Sequence, residues 1–262
     1  MKVAAIAMVV WLDSLRRKDV YVFLVLMSGM LVALASVDLF GLGGAALYVL
    51  DIGLLLCWLL GWVLAINAGA RELPQEEARG TVYLLLAKPL SRLELVAGKW
   101  LGAWSGVATA VLFFYAASAL IAFGRGAKFD AGILFQAWIL HSVALAMLTG
   151  LAILLSTRLN RDAATALSAV LSAAAFLLVP RVPELVLHSQ PWAQAPLIAL
   201  YFALPHIELL DLRQHVIHGH QGLGPATFLA IAAYGLTYAA ALTLAAWLAY
   251  RNKRFGRESL AE

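Results

Sequence analysis

Six apolar runs, each nearly free of charge, divide the chain: Val20–Val37, Ala46–Ala70, Trp100–Phe123, Ala131–Thr157, Ala163–Pro180 and Ala226–Tyr250. A helix rises about 1.5 Å per residue and the hydrocarbon core of a bilayer is about 30 Å thick, so a crossing needs about 20 apolar residues. Inside lipid a crossing segment must satisfy its own backbone N–H and C=O groups, which a helix does. The pattern predicts an all-α integral membrane protein, six transmembrane helices forming a single domain over residues 1–262. The fifth run is the shortest. Its helix is expected to stop at Pro180-Arg181-Val182-Pro183, because proline cannot continue a helix.

Composition agrees: 63% of the residues are hydrophobic, 13% are charged and the mean hydropathy is +0.86, outside the range of soluble domains. With six spans both termini lie on one side, and excess Lys and Arg mark the cytoplasm. Termini inside puts 15 of the 19 Lys and Arg residues on cytoplasmic segments, leaving Arg125, Lys128, Arg181 and Arg213 outside. The chain is therefore expected in the cell (inner) membrane as a multi-pass protein with both termini cytoplasmic. The net charge of +4 describes flanks that meet anionic headgroups of membrane lipid. No basic cluster is interleaved with aromatics as a nucleic-acid groove requires, so no nucleic-acid partner is expected. The stretch Val3–Leu12 is followed by Asp13 and Arg16-Arg17-Lys18 and lacks a small-residue cleavage site, unlike a cleavable signal. Residues 1–19 suit a helix lying in the cytoplasmic interface, with a frayed tail as the alternative. The lone cysteine, Cys57, sits in a span and leaves no disulfide framework.

Between the second and third runs lies a polar insert, Arg71 to Lys99. Leu73-Pro74 before Gln75, Glu76 and Glu77 reads as a helix start, with proline in the first turn and acidic side chains at the positive end of the dipole. Gly80 marks a break. The apolar stretch after Thr81 ends at Lys88-Pro89, where the residue before proline is pushed out of helical geometry. Ser91-Arg92-Leu93-Glu94 is a capping box that starts the third span. The insert is expected to be ordered, as two short helical pieces and a turn. It is either a docking surface or an interfacial anchor for spans two and three.

Three motifs in this insert, Glu76-x-x-x-Gly80-Thr81, Leu85-Leu86-x-x-Pro89-Leu90-Ser91-Arg92 and Gly98-Lys99-x-Leu101-Gly102, resemble the permease signature of type-2 ATP-binding-cassette (ABC) exporters. The resemblance extends to the layout of the whole chain: a basic amino-terminal helix, six spans, this loop, and a long outer loop before span six. It implies a membrane permease of an ABC-type exporter whose insert, residues 71–99, carries a coupling helix seated in a cleft of a separate cytoplasmic ABC ATPase subunit. By position, Glu76, Glu77, Arg79, Gly80, Thr81, Pro89, Arg92 and Lys99 would shape or support that surface. It further implies a homodimer, or a heterodimer with a second permease, around a substrate path. Within the family the chain is similar in general terms to permeases serving maturation of copper enzymes such as nitrous oxide reductase. No cofactor is expected on the chain itself; ATP and Mg would sit on the ATPase subunit. Consistently, the only Gly-Lys pair, Gly98-Lys99, lacks the rest of a phosphate-binding G-x-x-x-x-G-K-[ST] loop.

Other residues are candidates on chemistry. His141 lies within the fourth run, and an ionisable group at membrane depth marks a substrate path by default; packing against a neighbouring helix is the preferred reading. Gln136 is a second path candidate, although five residues put it about 140° round the helix from His141. Asp38 and Asp51 belong at outer span ends. The outer loop, residues 181–225, holds five of the six histidines. Among them His215, His218 and His220 could ligate copper or zinc, but their spacing fits no standard zinc pattern and a solvated turn is preferred. Pro205 to Arg213 predicts a short outer amphipathic helix before span six, with Ile207, Leu209, Leu210 and Leu212 inward. Gly102, Gly106 and Ala110, like Ala164, Ser168 and Ser172, place a small residue every four and allow close helix packing, preferably inside one bundle.

A membrane hydrolase would need H-E-x-x-H or G-x-S-x-G, and neither occurs. The chain is expected not to be an enzyme. The remaining alternative is a stand-alone secondary carrier or channel, whose usual signs are internal repeats, broken helices and several intramembrane charges.

Overall fold

The computed structural model describes residues 2–16, 21, 22, 25, 26, 28–30, 32, 33, 45–78, 80, 90–219, 221–251 and 253. Among them there is no strand. The helices are α1 (Lys2–Leu15), α2 (Ala45–Ala78), α3 (Arg92–Gly124), α4 (Ala131–Ser156), α5 (Arg161–Leu178), α6 (Val182–His188), α7 (Pro191–Ala203), α8 (Arg213–Ile217) and α9 (Pro225–Arg251), with 3-10 turns at Val179–Arg181 and Ile207–Leu210. Among the described residues six stretches are long and apolar enough to cross a membrane: Leu47–Ala78, Arg92–Gly124, Ala131–Ser156, Arg161–His188, Trp192–Ile217 and Pro225–Arg251. Five coincide with expected runs. Of the expected first run, Val20–Val37, half the residues are described and those are helical; Asp38 beyond it lies outside the described residues.

The remaining stretch corrects the sequence reading, because Trp192–Ile217 falls in what was expected to be a polar outer loop. Helicity does not stop at Pro180 and Pro183 either. Each proline occupies the first turn of the next helical piece, the 3-10 turn and α6 respectively, where its missing N–H is not needed. The chain then turns at Ser189-Gln190 into α7. At 13 residues α7 is about 20 Å long, short of a bilayer core. Past it, the helix expected over Pro205 to Arg213 is instead a 3-10 turn, Ile207–Leu210, with α8 starting only at Arg213. Ile207, Leu210 and Leu212 point inward as expected, while Leu209 is exposed.

The bundle is organised around α4, which packs on α2, α3, α5 and α9. Every residue from Leu140 to Gly150 is buried, as suits a helix apolar on all sides. Two indoles fix α3 against it: Trp100 Nε1 donates to the Ala146 carbonyl at 2.9 Å and Trp104 Nε1 to the Ser142 carbonyl at 2.7 Å. On the other flank α2 crosses α4 at Gly69, where a Cβ would stand 2.6 Å from the Thr149 carbonyl oxygen. The stripe Ala164, Ser168 and Ser172 on α5 is likewise buried.

The amino-terminal residues are helix rather than a frayed tail. Gly98 faces Ile6, Gly102 faces Val10 and Gly106 faces Ser14, so α1 runs lengthwise beside α3 in the same direction, four residues matched to four. The expected use of Gly102 and Gly106 for packing within the bundle is what the fold contains. Trp11 Nε1 donates to Thr109 Oγ1 at 3.4 Å at the end of this contact.

A Cβ on Gly102 would lie 2.5 Å from Val10 Cβ and 2.6 Å from the Ala7 carbonyl oxygen. Gly102→Ala should cost about 1–3 kcal/mol, measured as a lower thermal midpoint in detergent. Gly124→Ala, whose Cβ would meet nothing within 4 Å, should leave the midpoint unchanged.

Candidate functional site

Basic side chains converge where α2 ends, α3 begins and α9 ends. The apolar part of α2 finishes at Ala70, yet the helix continues for two more turns to Ala78 with Pro74 in its interior. This corrects the helix start expected at Pro74. An interior proline gives up the hydrogen bond to the carbonyl four residues back, here Ala70, and crowds it. What holds the helix is tertiary. Leu73 is fully buried in a small cluster with Leu95, Val96, Ile153, Ala246 and Tyr250, and Glu72 and Glu76, one turn apart on one face, both reach Lys99. The expected break is present: Gly80 has a φ of +67°, and its N–H donates to the Glu77 carbonyl at 3.0 Å, closing the helix in the left-handed conformation that glycine adopts freely.

Lys99, on the second turn of α3, is the centre of the site. Its Nζ lies 3.1 Å from Glu72 Oε2 and 2.5 Å from Glu76 Oε1, and its side chain is 9% exposed against 3% for Glu72. Removing an ammonium from water is costly unless carboxylates replace its hydration; here two do. A second pair lies nearer the surface, Lys253 Nζ to Glu77 Oε2 at 2.7 Å and Oε1 at 2.8 Å. Between them Arg92 donates from one guanidinium nitrogen to the carbonyls of Tyr250, Arg251 and Lys253 at 2.8, 2.8 and 3.0 Å. It thereby places a cation at the negative end of α9. The predicted capping box is formed: the Ser91 N–H donates to Glu94 Oε2 at 2.7 Å and the Glu94 N–H to Ser91 Oγ at 3.1 Å.

Of the residues singled out in the sequence, Glu76, Glu77, Gly80, Arg92 and Lys99 gather here. Arg79, Thr81 and Pro89 lie outside the described residues. Glu76 and Glu77 are engaged within the chain, forming the base of the insert. Glu72, Tyr250 and Lys253 belong to the site too. The four-residue spacing of Glu72 and Glu76 signals a shared face, whereas nothing local in the sequence points from Lys253 to residue 77.

The other candidates fall elsewhere. His141 is fully buried on α4, stacked on Trp58 with ring centroids 5.2 Å apart. Gln136 is not beside it; its side-chain amide exchanges two hydrogen bonds with the Leu223 backbone, at 3.2 and 3.1 Å, and fastens the approach to α9. Asp51 lies in the second turn of α2. His218 Nε2 contacts Gln214 Oε1 at 2.8 Å, His215 is on α8, and His220 lies outside the described residues. Among the described residues no three His, Cys, Asp or Glu side chains gather as a metal ion needs.

A multi-pass helical bundle with a charged seam at one end defines a membrane protein, and its sequence says which kind. The family model for ABC-2 family transporter proteins matches residues 51–260, and the chain belongs to that family. It is a membrane permease, the transport component of an ABC transporter. The match is to the family as a whole and does not extend to the copper-enzyme-maturation subgroup. No curated protein matches the chain.

Lys99→Met withdraws the cation from a buried pair and should cost about 3–5 kcal/mol, whereas Lys253→Ala, at a pair about a quarter exposed, should cost under about 1 kcal/mol. Chemical unfolding in detergent would rank them; equal losses would refute the central place given to Lys99.

Proposed function

We propose that this permease is an exporter subunit of the cell (inner) membrane, with both termini cytoplasmic, driven by a separate ATPase subunit that docks on residues 71–99. Two permeases, identical or related, form the path, and the ATPase holds ATP and Mg. Nucleotide binding favours one conformation of the bundle and hydrolysis releases it. The docking surface is the insert as a whole, residues 71–99, shaped or supported by Glu76, Glu77, Arg79, Gly80, Thr81, Pro89, Arg92 and Lys99. Glu76, Glu77, Arg92 and Lys99 make its base stiff, and Gly80 turns the chain out of α2.

The observation that carries this reading is the seam at the base of the insert. Because Lys99, Arg92 and Lys253 tie α2, α3 and α9 to one another, a push on the insert displaces three membrane helices as a unit and cannot be absorbed by one loose loop. The positive-inside balance supports the orientation, and the resemblance to exporters supports the direction. An apolar interior with few charges suits a hydrophobic or neutral cargo.

Mild-detergent purification of the tagged chain from its host should bring down a roughly stoichiometric ATPase. Reversing Glu76 and Glu77 together should cut ATP-driven transport and ATPase recovery by tenfold or more while membrane insertion persists. Pairing Glu77→Lys with Lys253→Glu should restore much of what Glu77→Lys alone loses. A folded chain with no ATPase, or transport that follows an ion gradient without ATP, would overturn the proposal.

A further inference from the structure

Four of the eight tryptophans have their indole N–H spoken for: Trp100 and Trp104 bond α4 carbonyls, Trp138 Nε1 donates to the Ala108 carbonyl at 3.4 Å, and Trp11 bonds Thr109. Trp58 and Trp62 do not. Their Nε1 atoms, the Tyr115 hydroxyl and both ring nitrogens of His141 are buried with no hydrogen-bond partner. They form one group. Ring centroids of Trp58 lie 4.9 Å from Trp62 and 5.2 Å from His141, and Tyr115 lies 5.8 Å from His141. Each unsatisfied buried polar group costs about 1–3 kcal/mol, and burial in a membrane leaves water few routes to repay it. A concentration of such groups on α2, α3 and α4 is a standing cost that an occupant would remove.

We infer that this group is the binding site, within a single bundle, for an uncharged lipophilic molecule bearing hydrogen-bond acceptors such as carbonyl, ester or ether oxygens. Indoles only donate, and the phenol and imidazole can add donors of their own, so the deficit is in acceptors. The nearest strong charge is already neutralised: Arg213, whose guanidinium carbon sits 5.2 Å over the Trp58 ring, is paired with Asp211 at 2.6 Å. Arg213 therefore offers an anionic ligand no free cation. Flat rings favour a hydrocarbon or ring skeleton, and Phe176 adds another at 5.1 Å from Trp58. Entry is from the side of Trp62 and Phe176, both half-buried, because α2 closes the other side at Gly61, where a Cβ would stand 3.0 Å from His141 Cε1. That the occupant is cargo rests on the permease reading; that it binds does not.

The test is an indole N–H correlation spectrum of the full chain, labelled with nitrogen-15 tryptophan, in lipid nanodiscs titrated with 1,2-dioctanoylglycerol. The two signals that vanish in Trp58→Phe and Trp62→Phe should shift saturably, hexadecane should leave them in place, and Tyr115→Phe, which keeps the packing, should weaken the apparent affinity about fivefold or more. Signals that stay put, that move equally with hexadecane, or that already exchange rapidly with deuterated water before any probe is added would overturn the site. Movement of the same probe by the permease with its ATPase and ATP is measured separately. Binding without ATP-driven movement keeps the site and overturns its use as a transport site for this class.

Discussion

One buried ammonium governs the architecture of the basic end. Lys99 is buried, and a cation there is tolerable only if carboxylates come to it. Two come from α2, and they can do so only if α2 stays helical beyond its apolar segment. That requirement outweighs the loss of a backbone hydrogen bond at Pro74. Once α2 is held, Leu73 is fixed among Leu95, Ile153 and Tyr250, which places the end of α9 beside α3. The carbonyls of Tyr250 and Arg251, and that of Lys253 just past α9, then meet Arg92, and Lys253 meets Glu77. A charge, a proline and a helix terminus far apart in the chain thus form one arrangement.

The rest of the bundle relies on close approach. Helices in lipid gain little from burying apolar surface against one another, so small residues and indole hydrogen bonds supply contact and register. Gly69 lets α2 meet the backbone of α4, and Gly98, Gly102 and Gly106 let α1 lie along α3. Trp100 and Trp104 then set the slide of α3 on α4 to one residue.

Much of this was legible in the sequence, for identifiable reasons. Runs of about 20 apolar residues are a strong signal, and five of the six expected spans are present where they were placed. The capping box at Ser91 and the break at Gly80 are local chemistry and were correctly read. Local rules failed where tertiary contacts overrode them. Pro74 was read as a helix start because its neighbours do not reveal the pull of Lys99. Pro180 and Pro183 were read as a stop because nothing nearby shows each becoming the first turn of another helix. The outer segment looked polar through its histidines, although Leu197 to Leu204 is almost wholly apolar. At the candidate site, Glu76, Glu77, Gly80, Arg92 and Lys99 were found from the insert and Glu72 was not, while Lys253 and Tyr250, some 160 residues away from Arg92, carry no local mark.

The carbonyl cradle that receives Arg92 bears on how the protein is made. Arg92 and Lys99 are synthesised early and enter the membrane long before residues 250–253 leave the ribosome. Until then Arg92 lacks the carbonyls of Tyr250, Arg251 and Lys253, and Glu77 lacks Lys253. The basic end therefore closes last, as a biosynthetic latch, and a nascent chain stalled short of α9 would hold its insert on an unfinished base. The described base of the insert is in this way complete only once α9 has been made.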